Sequence, residues 1–330
     1  MKYLSPELLS FPFDQYQRYR LCAEVLERLG LCTAETEILE VGGHPGIGER
    51  FFAPSTLFIV DLLAEKKDRW VRANALSLPF ADRSFKVVVS VDLLEHLLPE
   101  ERNTAINELA RVSAELVLIS APFQYKLARQ AERLVFDFIK EWLGWEHLYL
   151  KEHLEIASPS LFETESELVK LGFDTIIIPN GKLENWIVMM LCYYFFEGIP
   201  AGDKIRDELT RFYNQNFFWK DLSEPAYRHL IVASRSLLQN DPSALDDLIA
   251  KISSDQEPDY EKMRMWLEIF KHGELKKLAE EIDQLKQVLK DKDEEIKHLR
   301  AYVSELEDFH QKVKSTIFYK IYQKLFKRKK

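Results

Sequence analysis

Three cysteines in 330 residues, Cys22, Cys32 and Cys192, make no CxxC pair and no cluster. That excludes a disulfide-stapled scaffold and a cysteine-bound metal centre, and it suits free thiols in a reducing, cytoplasmic setting. No apolar run approaches the roughly 20 residues that a membrane-spanning helix needs. The most apolar stretch, WIVMMLCYYFF at 186–196, reads as a buried helix. The opening segment MKYLSPELLSFPFDQYQRYR lacks the continuous apolar centre of a signal peptide. Positive charge is not in excess: the net charge is −9, which removes any general reason to expect nucleic-acid binding. The histidines show no ligand spacing, so no metal site is expected. Glycine is scarce, with 11 residues, yet ILEVGGHPGIGER at 38–50 holds four of them.

A hydrophobic content of 46%, with 12% aromatic residues, describes a folded chain long enough for one α/β domain and an appendage. Short apolar runs at 37–42, 56–61, 69–73, 85–91, 115–120, 174–179 and 228–234 read as seven strands. Helical patterns alternate with them: 13–30, stopping at Gly30; 99–112, opened by Pro99; 124–145; 160–173; 184–197; and 203–218. Such alternation argues a parallel sheet with helices on both faces. The expected organisation is a domain at 1–238, with helical insertions at about 124–160 and 182–220, and then a linker with short helices at 239–273.

From 274 onward there is neither glycine nor proline. Leu275, Leu278, Ile282, Leu285, Leu289, Ile296, Leu299, Val303, Leu306, Val313 and Ile317 alternate at spacings of three and four, interrupted only by Lys292 and His310. This is a coiled-coil heptad over 274–317, which implies a homo-oligomer. The tail 318–330 carries six basic side chains and no acid, beside an apolar face that includes Phe318, Ile321, Tyr322, Leu325 and Phe326. It reads as an interfacial amphipathic helix for peripheral contact at the inner membrane face, or as a partner-docking helix.

In 38–50 a strand meets a glycine turn, the arrangement that aims backbone N–H groups at a nucleotide. GGHPGIG does not fit the GxGxxG of dinucleotide sites, although Asp61 ends the second strand and could accept from ribose hydroxyls. The block ANALSLPFADRSFKVVVSVDLLEH at 73–96 is more specific. Together with ILEVGG–PG and IVD, it resembles the class I S-adenosylmethionine-dependent methyltransferases over residues 36–122, and 146–238 resembles a subgroup tied to bacterial surface-glycan biosynthesis. The resemblance implies a seven-stranded Rossmann-like methyltransferase sheet and S-adenosyl-L-methionine as cofactor.

Carried onto this chain, the resemblance places Glu40 under the methionine amino group and gives Gly42, Gly43 and Gly46 the close approach of backbone to cofactor. Asp61 takes the ribose hydroxyls. Asn74, in place of the usual acid, and Ala75 lie beside adenine; Ser90 and Asp92 lie near the methyl group. His44 departs from the pattern at the second glycine of the motif, and Lys86 departs at an acid position. Methyl transfer to oxygen calls for alignment and a base. The candidates are His153, His147 and His96, with His153 favoured because Lys151, Glu152 and Glu155 flank it. The aromatic helices at 124–145 and 184–197 suggest a lid over a glycan or lipid-linked saccharide acceptor, with core packing the ordinary role for most of those rings. The alternatives are a non-catalytic scaffold with a degenerate methyltransferase fold on an oligomeric coiled coil and, more distantly, a nucleotide-dependent dehydrogenase.

Overall fold

The computed structural model describes residues 2–199, 202–254 and 274–326. The chain divides into two units, Met1–Tyr260 and Glu261–Lys330. In the first unit, α1 (Pro6–Leu9) and α2 (Phe13–Arg28) precede β1 (Glu37–Val41), and α2 ends where Gly30 takes a φ of 67°. Next come α3 (Gly48–Phe51), β2 (Thr56–Asp61), β3 (Trp70–Arg72), β4 (Phe85–Val91), α4 (Arg102–Val112) and β5 (Ser113–Ala121). The second half holds α5 (Lys126–Leu143), α6 (Leu148–Glu155), α7 (Leu161–Lys170), β6 (Asp174–Lys182), α8 (Leu183–Glu197) and α9 (Gly202–Asn216). It closes with β7 (Ala226–Ser234), α10 (Leu237–Asn240) and α11 (Asp246–Ser254).

The seven strands form one sheet in the order β3-β2-β1-β4-β5-β7-β6. The expected strands are all present, but the sheet is mixed: β7 runs antiparallel to both β5 and β6. Strand direction has no signature in composition; it follows from how the chain returns after α9. The architecture is the Rossmann-like methyltransferase fold. Central strand β4, FKVVVSV, shows how the sequence builds it. Val87, Val89 and Val91 face one core with Ile38 and Leu26, while Val88 faces a second with Leu109 and Val117. A strand buried on both faces is apolar throughout rather than alternating. A third cluster joins α5 and α8 through Val135, Ile139, Trp186 and Met189, so most of the aromatic insertion packs as core.

Two expected boundaries move. Pro99 does not open α4: the Glu101 carboxylate accepts the Leu98 N–H at 3.2 Å and the Glu101 N–H donates to the Leu98 carbonyl at 2.9 Å, so a turn fills 98–101 and the helix begins at Arg102. The stretch from 239, expected as a linker with short helices, holds the end of the short helix α10 and all of α11, but Leu245 and Leu248 are fully buried in the same cluster as Leu26.

The second unit contains α12 (Glu274–Ser315) and α13 (Ile317–Phe326). Leu285, Leu289, Ile296, Leu299, Val303 and Leu306 lie exposed along α12. The side chains of Leu275 and Leu278, and the basic residues 327–330, lie outside the described ones. Among the described residues no helix is long and apolar enough to cross a membrane.

Phe51, at the end of α3, is fully buried and meets Phe11, Tyr16 and Tyr19 with ring centroids 5.5, 5.8 and 5.8 Å away. Substituting Phe51→Ala empties the space beneath the glycine turn. It is expected to lower unfolding free energy by about 3–5 kcal/mol in denaturant titration; a loss below about 1 kcal/mol would show that this cluster does not anchor the turn.

Candidate active site

A cavity of about 760 Å³ opens at the carboxyl ends of β1, β2 and β4. That is where open α/β sheets bind ligands, and the volume suits a small-molecule site. One end is walled by Gly42, His44, Asp61, Leu63, Asn74 and Ala75; the other by Arg18, Asp92, His96, His147, His153 and Tyr194.

The glycine turn is organised around Glu40. This side chain is fully buried; the Tyr19 hydroxyl donates to its Oε1 at 2.6 Å, and its Oε2 has no hydrogen-bond partner among the described residues. Burial, only partly countered by Tyr19, pushes its pKa up to about 8. A Cβ at Gly43 would stand 2.8 Å from the Glu40 side chain, and one at Gly48 only 2.3 Å from Oε2. A Cβ at Gly46, where φ is 93°, would lie 2.7 Å from the Trp70 ring. These glycines therefore make room for Glu40 and Trp70, and of Gly42, Gly43 and Gly46 only Gly42 lines the cavity. The helix after the turn is a single turn, α3, so Pro45 precedes it rather than occupying its first position.

His44 does not crowd the turn. Its side chain is exposed with its ring edge toward Trp70, and its backbone N–H donates to Asp61 Oδ2 at 3.2 Å. Asp61 Oδ1 accepts the Leu63 N–H at 2.7 Å. Each oxygen keeps a free lone pair, so the carboxylate is aimed yet able to accept two hydroxyl donors. Asn74 Oδ1 accepts the Leu76 N–H at 2.9 Å, which turns the amide's donor side into the group left for a purine edge. Ala75 is buried beside it.

At the far end, Asp92 takes a left-handed φ of 50° just past β4. Its Oδ2 accepts from the Arg18 guanidinium and, at 3.3 Å, from Arg228. Burial opposes ionisation here, but the two guanidiniums override it and hold the carboxyl below its usual range. His153 is buried; its Nδ1 pairs with Glu132 Oε1 at 2.9 Å, and Glu132 also accepts the Tyr227 hydroxyl at 2.9 Å. His96 Nδ1 faces Glu152 Oε2 at 3.2 Å, its ring lies 5.4 Å from that of His153, and burial followed by His153 pushes its pKa down. His147 caps α6, its Nδ1 accepting the Leu150 N–H at 3.2 Å. The neutral ring then carries its proton on Nε2, so His147 faces a ligand as a donor and not as a base. Burial pushes its pKa down.

All three expected histidines thus line one cavity with Asp61, Asn74, Ala75 and Asp92. Glu40 and Ser90 do not: Glu40 is fully buried beneath the glycine turn, and Ser90 is buried on β4 with its Oγ unpartnered among the described residues. Of the expected lid aromatics, Trp186, Tyr193 and Tyr194 reach the cavity. Sequence reasoning missed Arg18, Arg228, Glu132 and Tyr227, which come from α2, β7 and α5 and carry no local motif. It also expected no metal ligands, yet Glu95, His96 and His153 offer ligand atoms within 4.8 Å of one another. His153 sits on α6, away from the turn that bears Glu95 and His96, so spacing could not show the group.

Residues 54–115 match the family model described as a methyltransferase domain. No curated protein matches the chain. Among solved structures, the chain is similar to the magnesium protoporphyrin IX methyltransferase from Synechocystis PCC 6803 with bound SAH, at 14% identity. That match covers 67% of this chain and 84% of the other, with a TM-score of 0.39. The YcgJ protein from Bacillus subtilis matches at 16% identity, 65% and 97% coverage and a TM-score of 0.38. The [4+2]-cyclase SpnF matches at 12% identity, 67% and 80% coverage and a TM-score of 0.40. Together, the fold and the matched segment define a class I methyltransferase fold, and S-adenosyl-L-methionine is the cofactor of that domain.

The residues present fit this cofactor. The orphaned Glu40 Oε2 beneath the turn suits an ammonium, the Asp61 carboxylate suits a ribose diol, and Asn74 with Ala75 suits an adenine edge. An ammonium beside Glu40 favours its ionised form, so a carboxyl held protonated below about pH 8 must release its proton on binding. Calorimetry at pH 7 in buffers of different ionisation enthalpy is expected to show release of close to one proton, with affinity rising toward pH 8. Glu40→Gln should abolish the release and weaken binding about 10–100-fold, the worth of a charge-assisted hydrogen bond. Heats independent of buffer would show that Glu40 does not receive the amino group.

Proposed function

We propose that the chain is an S-adenosylmethionine-dependent O-methyltransferase whose acceptor is a glycan or lipid-linked saccharide precursor. The observation that carries this reading is the continuity of the cavity from Asp61 and Asn74 to a floor of polar histidine and tyrosine side chains. When bound, the cofactor supplies an electrophilic methyl group; the protein must align an acceptor oxygen and manage its proton. Tyr193, Tyr194 and the exposed Tyr149 give ring faces and hydroxyls at the wide end, a surface suited to a sugar ring. His147 donates from Nε2. His153, with Nδ1 held by Glu132, keeps a lone pair on Nε2. That lone pair can take the hydroxyl proton itself, or bind a cation that lowers the hydroxyl's pKa.

Incubating the full chain with methyl-labelled cofactor and candidate saccharide acceptors tests the reading. Transfer to a saccharide hydroxyl is expected, with His153→Ala lowering kcat about 10²–10⁴-fold. Cofactor binding without transfer to any acceptor would favour the non-catalytic scaffold, and transfer to a protein or quinone would contradict the saccharide reading.

We also propose that the exposed stripe of α12 pairs with copies of itself as a coiled coil, and that α13 contacts anionic membrane. Supporting this, Leu285, Leu289, Leu299 and Val303 are each more than half exposed, as is Phe318 of α13 at 85%. Sedimentation of the full chain should give an oligomer that Leu289→Glu with Leu299→Glu dissociates, and cosedimentation with anionic but not neutral vesicles. A monomeric wild type, or no preference for anionic vesicles, would refute the respective part.

A further inference from the structure

We propose that Glu95, His96 and His153 form a binding site for a divalent first-row transition-metal cation at the acceptor end of the cavity. One ligand atom from each lies within 4.8 Å of those of the other two. Bonds in such sites run about 2.0–2.2 Å, which puts ligand atoms some 3–3.5 Å apart. Closing a remaining gap of up to about 1.3–1.8 Å takes side-chain rotation, and His96 is half-buried on a short 3-10 turn rather than locked in a core.

Two of the three groups are buried and leave polar atoms without a hydrogen-bond partner among the described residues. Glu95 is 1% exposed, and neither carboxylate oxygen has a hydrogen-bond partner among the described residues. His153 is 8% exposed, and its Nε2 is likewise unpartnered. Buried polar atoms are seldom left so, and two in one cluster call for a ligand between them. The imidazoles are also prepared for a cation. His153 Nδ1 pairs with Glu132 and His96 Nδ1 with Glu152, at 2.9 and 3.2 Å. A carboxylate on one ring nitrogen fixes the tautomer and leaves Nε2 as the donor, the outer-sphere arrangement of histidine–metal sites.

The ligand set narrows the cation. Two imidazoles and one carboxylate suit manganese, iron, cobalt or zinc, while magnesium and calcium prefer oxygen ligands. Three protein ligands leave coordination positions free. Local charge is favourable: Asp92 lies at the start of the same turn, and its neighbours Arg18 and Arg228 are both engaged on it. Arg102 is committed to the carbonyls of Leu94 and Leu97. His96 and His153 line the cavity, so a cation has a route in and a free position faces the acceptor. The role of holding an acceptor hydroxyl rests on the methyl-transfer reading; the binding of a cation does not.

The test is therefore made without S-adenosylmethionine. Full-length protein, stripped with chelator, is titrated with Co²⁺ and with Mn²⁺, read by calorimetry, by the visible d–d bands of Co²⁺ and by electron paramagnetic resonance of Mn²⁺. One Co²⁺ per chain with bands of a mixed nitrogen–oxygen site is expected. Glu95→Gln and His153→Gln should each weaken binding at least tenfold, whereas His310→Gln on α12 should leave it unchanged. Circular dichroism checks that the variants fold. Should either fail to, Glu132→Gln, which removes no ligand, is expected to weaken binding about 10–100-fold by loosening His153. No stoichiometric binding by wild type, or binding that these variants leave intact, would overturn the site. Stoichiometric metal with no methyl transfer would sink the enzymatic reading and leave the site standing.

Discussion

A single carboxylate at the end of β4 ties the site together. Asp92 takes a left-handed backbone conformation, its N–H donates to Ser120 of β5 at 2.8 Å, and its Oδ2 accepts from Arg18 of α2 and Arg228 of β7. Elements far apart in sequence meet on that one group. Its side chain is 19% exposed, and the two guanidiniums held against it keep it ionised. The residues that follow inherit its position. Leu93 packs where a Cβ on Gly42 would stand, 3.1 Å away, coupling the turn after β4 to the turn after β1. Glu95 and His96 lie on the next 3-10 turn, facing α6.

The two ends of the cavity are built by different means. At the turn end, recognition rests on backbone shape and on carboxylates whose freedom is limited: Asp61 by two N–H donors, Glu40 by burial and Tyr19. At the floor it rests on paired side chains, Glu132 with His153 and Glu152 with His96, which decide which imidazole nitrogen is free. On the proposed function, the acceptor would meet the paired side chains of the floor and the cofactor the preset turn. That division suits a transfer in which one substrate class varies and the methyl donor does not.

How much of this was legible in the sequence follows from locality. The seven strands could be read because each is a short apolar run between turn residues, and the candidate cofactor residues stand out because their motifs lie in order along β1 to β4. The direction of β7 could not be read, since buried strands of either orientation look alike. Ser90 was misplaced because a motif gives position along the strand but not the face; Val88 shows that face to be core. Arg18, Glu132 and Arg228 were invisible because only folding brings them to Asp92 and His153. His44 departs from the glycine pattern, but its contact with Asp61 is a backbone N–H that any residue except proline would supply.

On the proposed function, the cavity holds S-adenosylmethionine with its ribose on Asp61 and its methyl group toward the histidine floor. A structure of the full chain bound to the demethylated product, S-adenosylhomocysteine, tests that most directly. Both ribose hydroxyls are expected on the Asp61 carboxylate, the amino group on Glu40, and the sulfur facing the end of the cavity that holds His96 and His153. A ligand bound elsewhere, or in this cavity with Asp61 and Glu40 untouched, would contradict it.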